Sequence, residues 1–202
     1  MKIKTIIISL FIAASLNIAA QENVESAFEK SYSLEKQGNY NGAINLIKSV
    51  YSASSYELNL RLGYLNYEAG SHAESMNYYS RSILISPNAI EPKIGYVYPA
   101  SMLGKWDEVL KQYQDILKID AQNSSINYKA GLINYNRKNY TAAFKYFENV
   151  VTLYPFDYDG LIMYAWTNLQ LGKMKEAKAL FKKVMLLSPN DKSALEGLAL
   201  IK

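Results

Sequence analysis

The chain has 202 residues, half of them hydrophobic by a wide definition, with 20% charged, 13% aromatic, no cysteine and one histidine. That composition suits an ordinary globular chain, and the missing cysteines exclude a disulfide framework, a thiol nucleophile, thiolate-bound zinc, an iron–sulfur cluster and a cysteine for lipid attachment. The formal charge of +4 comes from 22 basic and 18 acidic residues, far from the clustered basic excess of a nucleic-acid binder.

Lys2 and Lys4 precede an apolar run from Ile6 to Ala14, and small residues follow up to Ala19-Ala20 before Gln21-Glu22. This positive, apolar, small-residue order is that of a secretory signal peptide. The uncharged stretch from Thr5 to Gln21 is 17 residues, at the lower limit for a spanning helix, and Ser9, Ser15 and Asn17 dilute it. Residues 1–20 are therefore expected to be a cleaved signal. The mature chain would start near Gln21, carry a net charge of +2 and no membrane span, and reside in the periplasm or outside the cell. An uncleaved anchor is the alternative.

From residue 24 onward the sequence repeats with a period near 34, in units of roughly 24–55, 56–89, 90–123, 124–157 and 158–191. Each unit predicts two helices. The turn between them is marked at the fifteenth position by Gly38, Gly70, Gly104 and Gly172, with Lys138 followed by Asn139 in the fourth unit; such residues end a helix in the left-handed region. Two positions later stands a bulky residue, Tyr40, His72, Trp106, Tyr140 or Met174, expected to anchor the second helix. Compact residues recur at two further places, Ser31, Gly63, Val97, Gly131 and Ala165 on the first helix, and Ala43, Ser75, Val109, Ala143 and Ala177 on the second. They predict a close crossing of the two helices. Pro87, Pro155 and Pro189 stop three of the second helices, whereas the third unit has Ala121 there. Residues 192–202, with Ala194, Leu195, Leu198 and Ile201 at helical spacing, predict a capping helix. Its apolar Leu200 offers a contact for self-association, against the plainer reading that the helix packs on the fifth unit.

The units resemble tetratricopeptide repeats in length, in their terminal proline and in segments such as Gly38-Asn39-Tyr40-Asn41-Gly42-Ala43 and Lys138-Asn139-Tyr140-Thr141-Ala142-Ala143. The resemblance covers about 24–191 and implies an all-α fold, an α-solenoid of about five helix-turn-helix repeats. It also implies that the second, fifth, ninth and twelfth positions of the first helices line a concave binding wall. Here the ninth position holds Tyr32, Tyr64, Tyr98, Leu132 and Trp166, and flanking positions add Phe28, Leu60, Tyr67, Ile94, Tyr128, Tyr135 and Ile162. Six of the 18 tyrosines thus join Phe28 and Trp166 along one expected groove. The competing reading makes these rings ordinary core. Members of the family that grip a partner's C-terminal carboxylate carry lysine, asparagine and arginine on this face. The apolar fifth positions, Phe28, Leu60, Ile94, Tyr128 and Ile162, argue against that use.

The resulting expectation is a non-enzymatic scaffold in the bacterial cell envelope that binds a peptide or protein segment in an aromatic groove. The alternative is a glycan-binding module using the same rings, with Asn66, Asn136 and Asn168 as hydrogen bonders for either ligand. No catalytic set, metal site, cofactor or nucleic-acid partner is expected. His72 reads as a packed imidazole, Asp157 and Asp159 as capping groups, and Tyr79, Tyr113 and Tyr146 as core residues on second helices. Pro99, in the middle of a first helix, predicts a kink and removes the donor that the Gly95 carbonyl would otherwise receive.

Overall fold

In the computed structural model, which describes residues 23–201, every regular element is helical; the described residues contain eleven helices and no strand. The expected signal peptide and the processing point at Gln21 lie outside the described residues. The chain divides between Gly104 and Lys105 into two compact units. The first holds α1 (23–36), α2 (Tyr40–Ser49), α3 (Tyr56–Glu68), α4 (His72–Ile85) and α5 (Glu91–Met102). The second holds α6 (Trp106–Ile119), α7 (Ser124–Asn136), α8 (Tyr140–Leu153), α9 (Tyr158–Gln170), α10 (Met174–Leu187) and α11 (Lys192–Ala199). The division falls inside the expected third repeat, between α5 and α6.

The punctuation of the helices follows from local chemistry. Gly38, Gly70, Gly104 and Gly172 all have φ between 68° and 77°. Gly38 donates to the Glu35 carbonyl and Asn39 to the Leu34 carbonyl, the paired closure that spares the last carbonyls of a helix. In the fourth repeat Lys138 itself takes the left-handed conformation, at φ 60°. Asn139 does not; it is the N-cap of α8 and accepts from the Ala142 N–H. Ser55, Asn123, Asp157 and Asp191 cap α3, α7, α9 and α11 in the same way. Asp159 instead lies in the first turn of α9, where its charge suits the helix dipole. Ahead of the prolines, Ser86, Tyr154 and Ser188 turn to ψ of 77–88°, and Asp120 does the same at ψ 83° without a proline after it.

Within the first unit α2 packs on α3, α3 on α4 and α4 on α5, and α3 also meets α5; its core gathers Ala43, Ile47, Leu58, Leu62 and Leu65. Within the second, α7 packs on α8, α8 on α9 and α9 on α10, and α11 lies against both α9 and α10. The compact crossing positions are all buried. There a ring from the second helix fills the space that a side chain would need: a Cβ on Gly63 would stand 2.9 Å from the Tyr79 ring, and one on Gly131 2.7 Å from Phe147. The bulky residue that opens each second helix is less uniform. Tyr40 packs on the core, His72 lies against Tyr67 with ring centroids 5.7 Å apart, but Trp106 and Met174 are 48% and 45% exposed and do not anchor their helices.

Buried polar residues occupy their own repeat position. Asn59, Lys93 and Asn127, each the fourth residue of its unit, reach back to carbonyls of the preceding loop. Asn66, Asn134 and Asn168 bond the carbonyl four residues earlier in their own helices. Asn66 and Asn168, expected as ligand-facing groups, are therefore buried braces. Ile162, expected on the groove, is likewise buried in the core of the second unit. The end helix α11 seats Ala194 and Gly197 against the unit, with Gly197 under Phe181, and leaves Leu195 and Leu200 exposed.

Candidate binding cavity

In the first unit the first helices α1, α3 and α5 each present the same stripe, because residues four apart stand one above the other on a helix face. Phe28 and Tyr32 from α1, Leu60, Tyr64 and Tyr67 from α3, and Ile94 and Tyr98 from α5 line one cavity of about 800 Å³. Seven of the twelve groove residues expected from the sequence thus meet there. Tyr32 and Tyr98 are each half exposed. The rings of Tyr67 and Tyr98 are 5.8 Å apart. Tyr79 rises from the second helix α4 across Gly63 and Gly95 and forms part of the floor, so it is both core and lining.

The second unit scatters the other five, of which Ile162 is core. Tyr128 borders a smaller cavity of about 250 Å³ with Ser124, Tyr154, Asp157 and Asp159, its ring edge-on to Phe147. Tyr135 stacks edge-on against Tyr140, centroids 5.3 Å apart. Trp166 packs against Phe181 at 5.2 Å and donates its indole N–H to Ser193 Oγ at 2.8 Å. Leu132 lines a separate cavity of about 590 Å³ with Trp106, Tyr113, Lys129, Asn136 and Arg137.

Charge is the part of the first cavity that the aromatic pattern does not announce. Arg61, next to the apolar fifth position of its repeat, is buried in the wall. Its guanidinium lies 3.9 Å from the centre of the Tyr32 ring, donates to Ser31 Oγ and approaches a Glu35 carboxylate oxygen at 2.6 Å. The other Glu35 oxygen accepts from the Tyr64 hydroxyl at 2.9 Å. Burial, and next the Glu35 carboxylate, push the Tyr64 phenol up to about 12. Glu57, Glu68 and Glu91 complete the lining. Glu91 accepts from the Tyr56 hydroxyl at 3.3 Å, and burial together with that carboxylate raises the Tyr56 phenol. Glu57, Glu91 and Glu35, though not Glu68, have a signal in the sequence. The second position of the stripe reads Glu25, Glu57, Glu91, Ser125 and Asp159, and Glu35 stands at a twelfth position.

Models of the tetratricopeptide repeat match residues 28–90, 103–158 and 136–201. The chain belongs to the tetratricopeptide repeat family. Solved structures agree on the fold. A tetratricopeptide repeat protein from Parabacteroides merdae is 20% identical with a TM-score of 0.71, over 88% of this chain and 72% of that one. A MamA protein structure is 18% identical with a TM-score of 0.70, over 90% of this chain and 100% of that one. MamA AMB-1 is 20% identical with a TM-score of 0.69, over 90% and 98%. No curated protein matches the sequence. A tetratricopeptide fold is consistent with a protein–protein interaction scaffold. Among the described residues no helix is long and apolar enough to cross a membrane, and no group of three or more His, Cys, Asp or Glu residues could hold a metal ion.

Proposed function

We propose that this tetratricopeptide repeat protein is a non-enzymatic adaptor of the bacterial cell envelope, exported by residues 1–20 and binding an extended peptide or protein segment in the cavity of its first unit. The observation that carries the reading is the convergence of Tyr32, Tyr64, Tyr67 and Tyr98 with Phe28 and Leu60 on one cavity, two of the rings being half exposed. Rings with both an apolar face and a hydroxyl supply contact area at low entropy cost. The binding of a peptide over a glycan is supported by the burial of Asn66 and by a lining that, among the described residues, carries no amide side chain for sugar hydroxyls.

The test is selection of peptides from a displayed random library on the purified protein, followed by affinity and melting measurements on Tyr98→Ala. A half-exposed ring on the cavity rim should act as a binding hot spot, worth about 2 kcal/mol or roughly 30-fold in affinity, with melting nearly unchanged. Peptides whose affinity ignores Tyr98→Ala would move the site elsewhere. Binding of envelope oligosaccharides that Tyr98→Ala abolishes would replace the peptide by a glycan. For the location, mass spectrometry of the exported protein should find its N-terminus near Gln21; retention of Met1 in a membrane-embedded form would reject the signal peptide.

A further inference from the structure

We infer that the segment taken by this cavity is cationic, presenting lysine or arginine beside bulky apolar residues; the inference rests on the peptide-binding reading above. Three carboxylates, Glu57, Glu68 and Glu91, line the cavity, and among the described residues Arg61 is the only cation that does. Arg61 is already engaged: it is buried against the Tyr32 face and paired with Glu35. A ligand therefore meets uncompensated negative charge. It also meets acceptors. Ionised carboxylates only accept hydrogen bonds. Such a surface is satisfied by donors, and ammonium and guanidinium groups are donors without acceptors.

The aromatic faces favour the same occupant. A guanidinium already lies over Tyr32, which demonstrates the cation–π geometry that the exposed Tyr98 ring offers to a ligand. The preference is local and not a property of the whole chain, whose net charge is +4 and would repel a basic peptide at long range. A partner's acidic C-terminal tail is disfavoured on the same grounds.

The test uses three acetylated and amidated octapeptides that alternate phenylalanine with lysine, glutamine or glutamate, titrated calorimetrically into the purified protein at low and moderate salt. The lysine peptide should bind at least tenfold more tightly than the glutamate peptide, with a gap that narrows as salt rises. Glu68→Gln combined with Glu91→Gln should close most of that gap, the lysine peptide losing affinity and the glutamate peptide gaining it. Equal or tighter binding of the glutamine or glutamate peptide would overturn the charge preference and leave the aromatic cavity standing. Failure of all three to bind, or binding that Tyr98→Ala leaves intact, would overturn the cavity reading and the charge preference with it.

Discussion

Gly131→Ala measures how closely the helices of a repeat cross. Gly131 on α7 is buried, and an added Cβ would lie 2.7, 2.8 and 3.0 Å from three atoms of the Phe147 ring. Ordinary carbon–carbon contacts fall at about 3.5–4.0 Å, so ring or helix must retreat by roughly 0.5–1 Å. Phe147 is fully buried on α8. Overpacking of this kind costs about 1–3 kcal/mol, while alanine in place of glycine inside a helix returns about 0.5–1 kcal/mol. The packing term is the larger, and Gly131→Ala should destabilise by up to about 2.5 kcal/mol. Urea unfolding followed by tryptophan fluorescence suits the measurement, because Trp106 and Trp166 both lie in the unit that carries the substitution. The midpoint should fall with an unchanged slope. Phe147→Leu should cost less in the Gly131→Ala background than alone, a coupling that a double-mutant cycle isolates. A gain in stability from Gly131→Ala, as helix propensity alone would give, would refute the close crossing and the repeat register built on it.

Lys138→Gly should raise stability by about 0.5–1 kcal/mol in the same assay, since a non-glycine residue in the left-handed region costs about 1–2 kcal/mol and glycine's extra freedom in the unfolded chain returns only part of that. Trp166→Ala should cost about 3–5 kcal/mol, because its ring and N–H are both engaged by Phe181 and Ser193; a near-neutral result would place the ring on a free surface. Tyr64 titrates near 12 in the folded protein against an ordinary 10. Its neutral form is therefore favoured by folding, so this stabilisation is full below pH 10 and is lost as pH rises from about 10 to 12. Tyr64→Phe should flatten the fall in urea midpoint across that window, and an identical pH profile in the variant would show that other groups govern it.

The repeats were legible because their requirements are local and recur. A left-handed turn, a crossing without room for a large side chain and a residue before proline each restrict one position to a few residue types. Lys138 shows the limit of that logic. The turn geometry is imposed by the helices around it, so a residue that pays for the conformation can still occupy it, and Asn139 is needed as a cap one place later. Bulk alone was a weaker guide. Nothing in the turn requires the residue two places on to be covered, and Trp106 and Met174 are not. Apolar periodicity likewise located the wall of the cavity but carried no information about Arg61, whose burial depends on Glu35 lying 26 positions away on another helix. The acids at the second position were written in the same register, yet a hydrophobic pattern gives them no weight. The division between α5 and α6 has no signal of composition at all: Gly104-Lys105-Trp106 reads like the other turns.

The Arg61–Glu35 pair explains why this wall is aromatic and still well defined. A buried ion pair offers little net stability over apolar residues of similar volume, although removing one partner costs about 3–5 kcal/mol. Its consequence here is positional. The guanidinium covers one face of Tyr32, and the carboxylate holds the Tyr64 hydroxyl, so a single pair linking α1 and α3 fixes two of the rings that line the cavity. Rings held before a ligand arrives lose less rotamer freedom on binding. Tyr98 has no such tether to the pair and is half exposed, which makes it the ring free to adapt to a ligand while Tyr32 and Tyr64 supply a fixed backing. An arginine spent in this way on the protein's own carboxylate also leaves the cavity with the acids that a basic segment would neutralise.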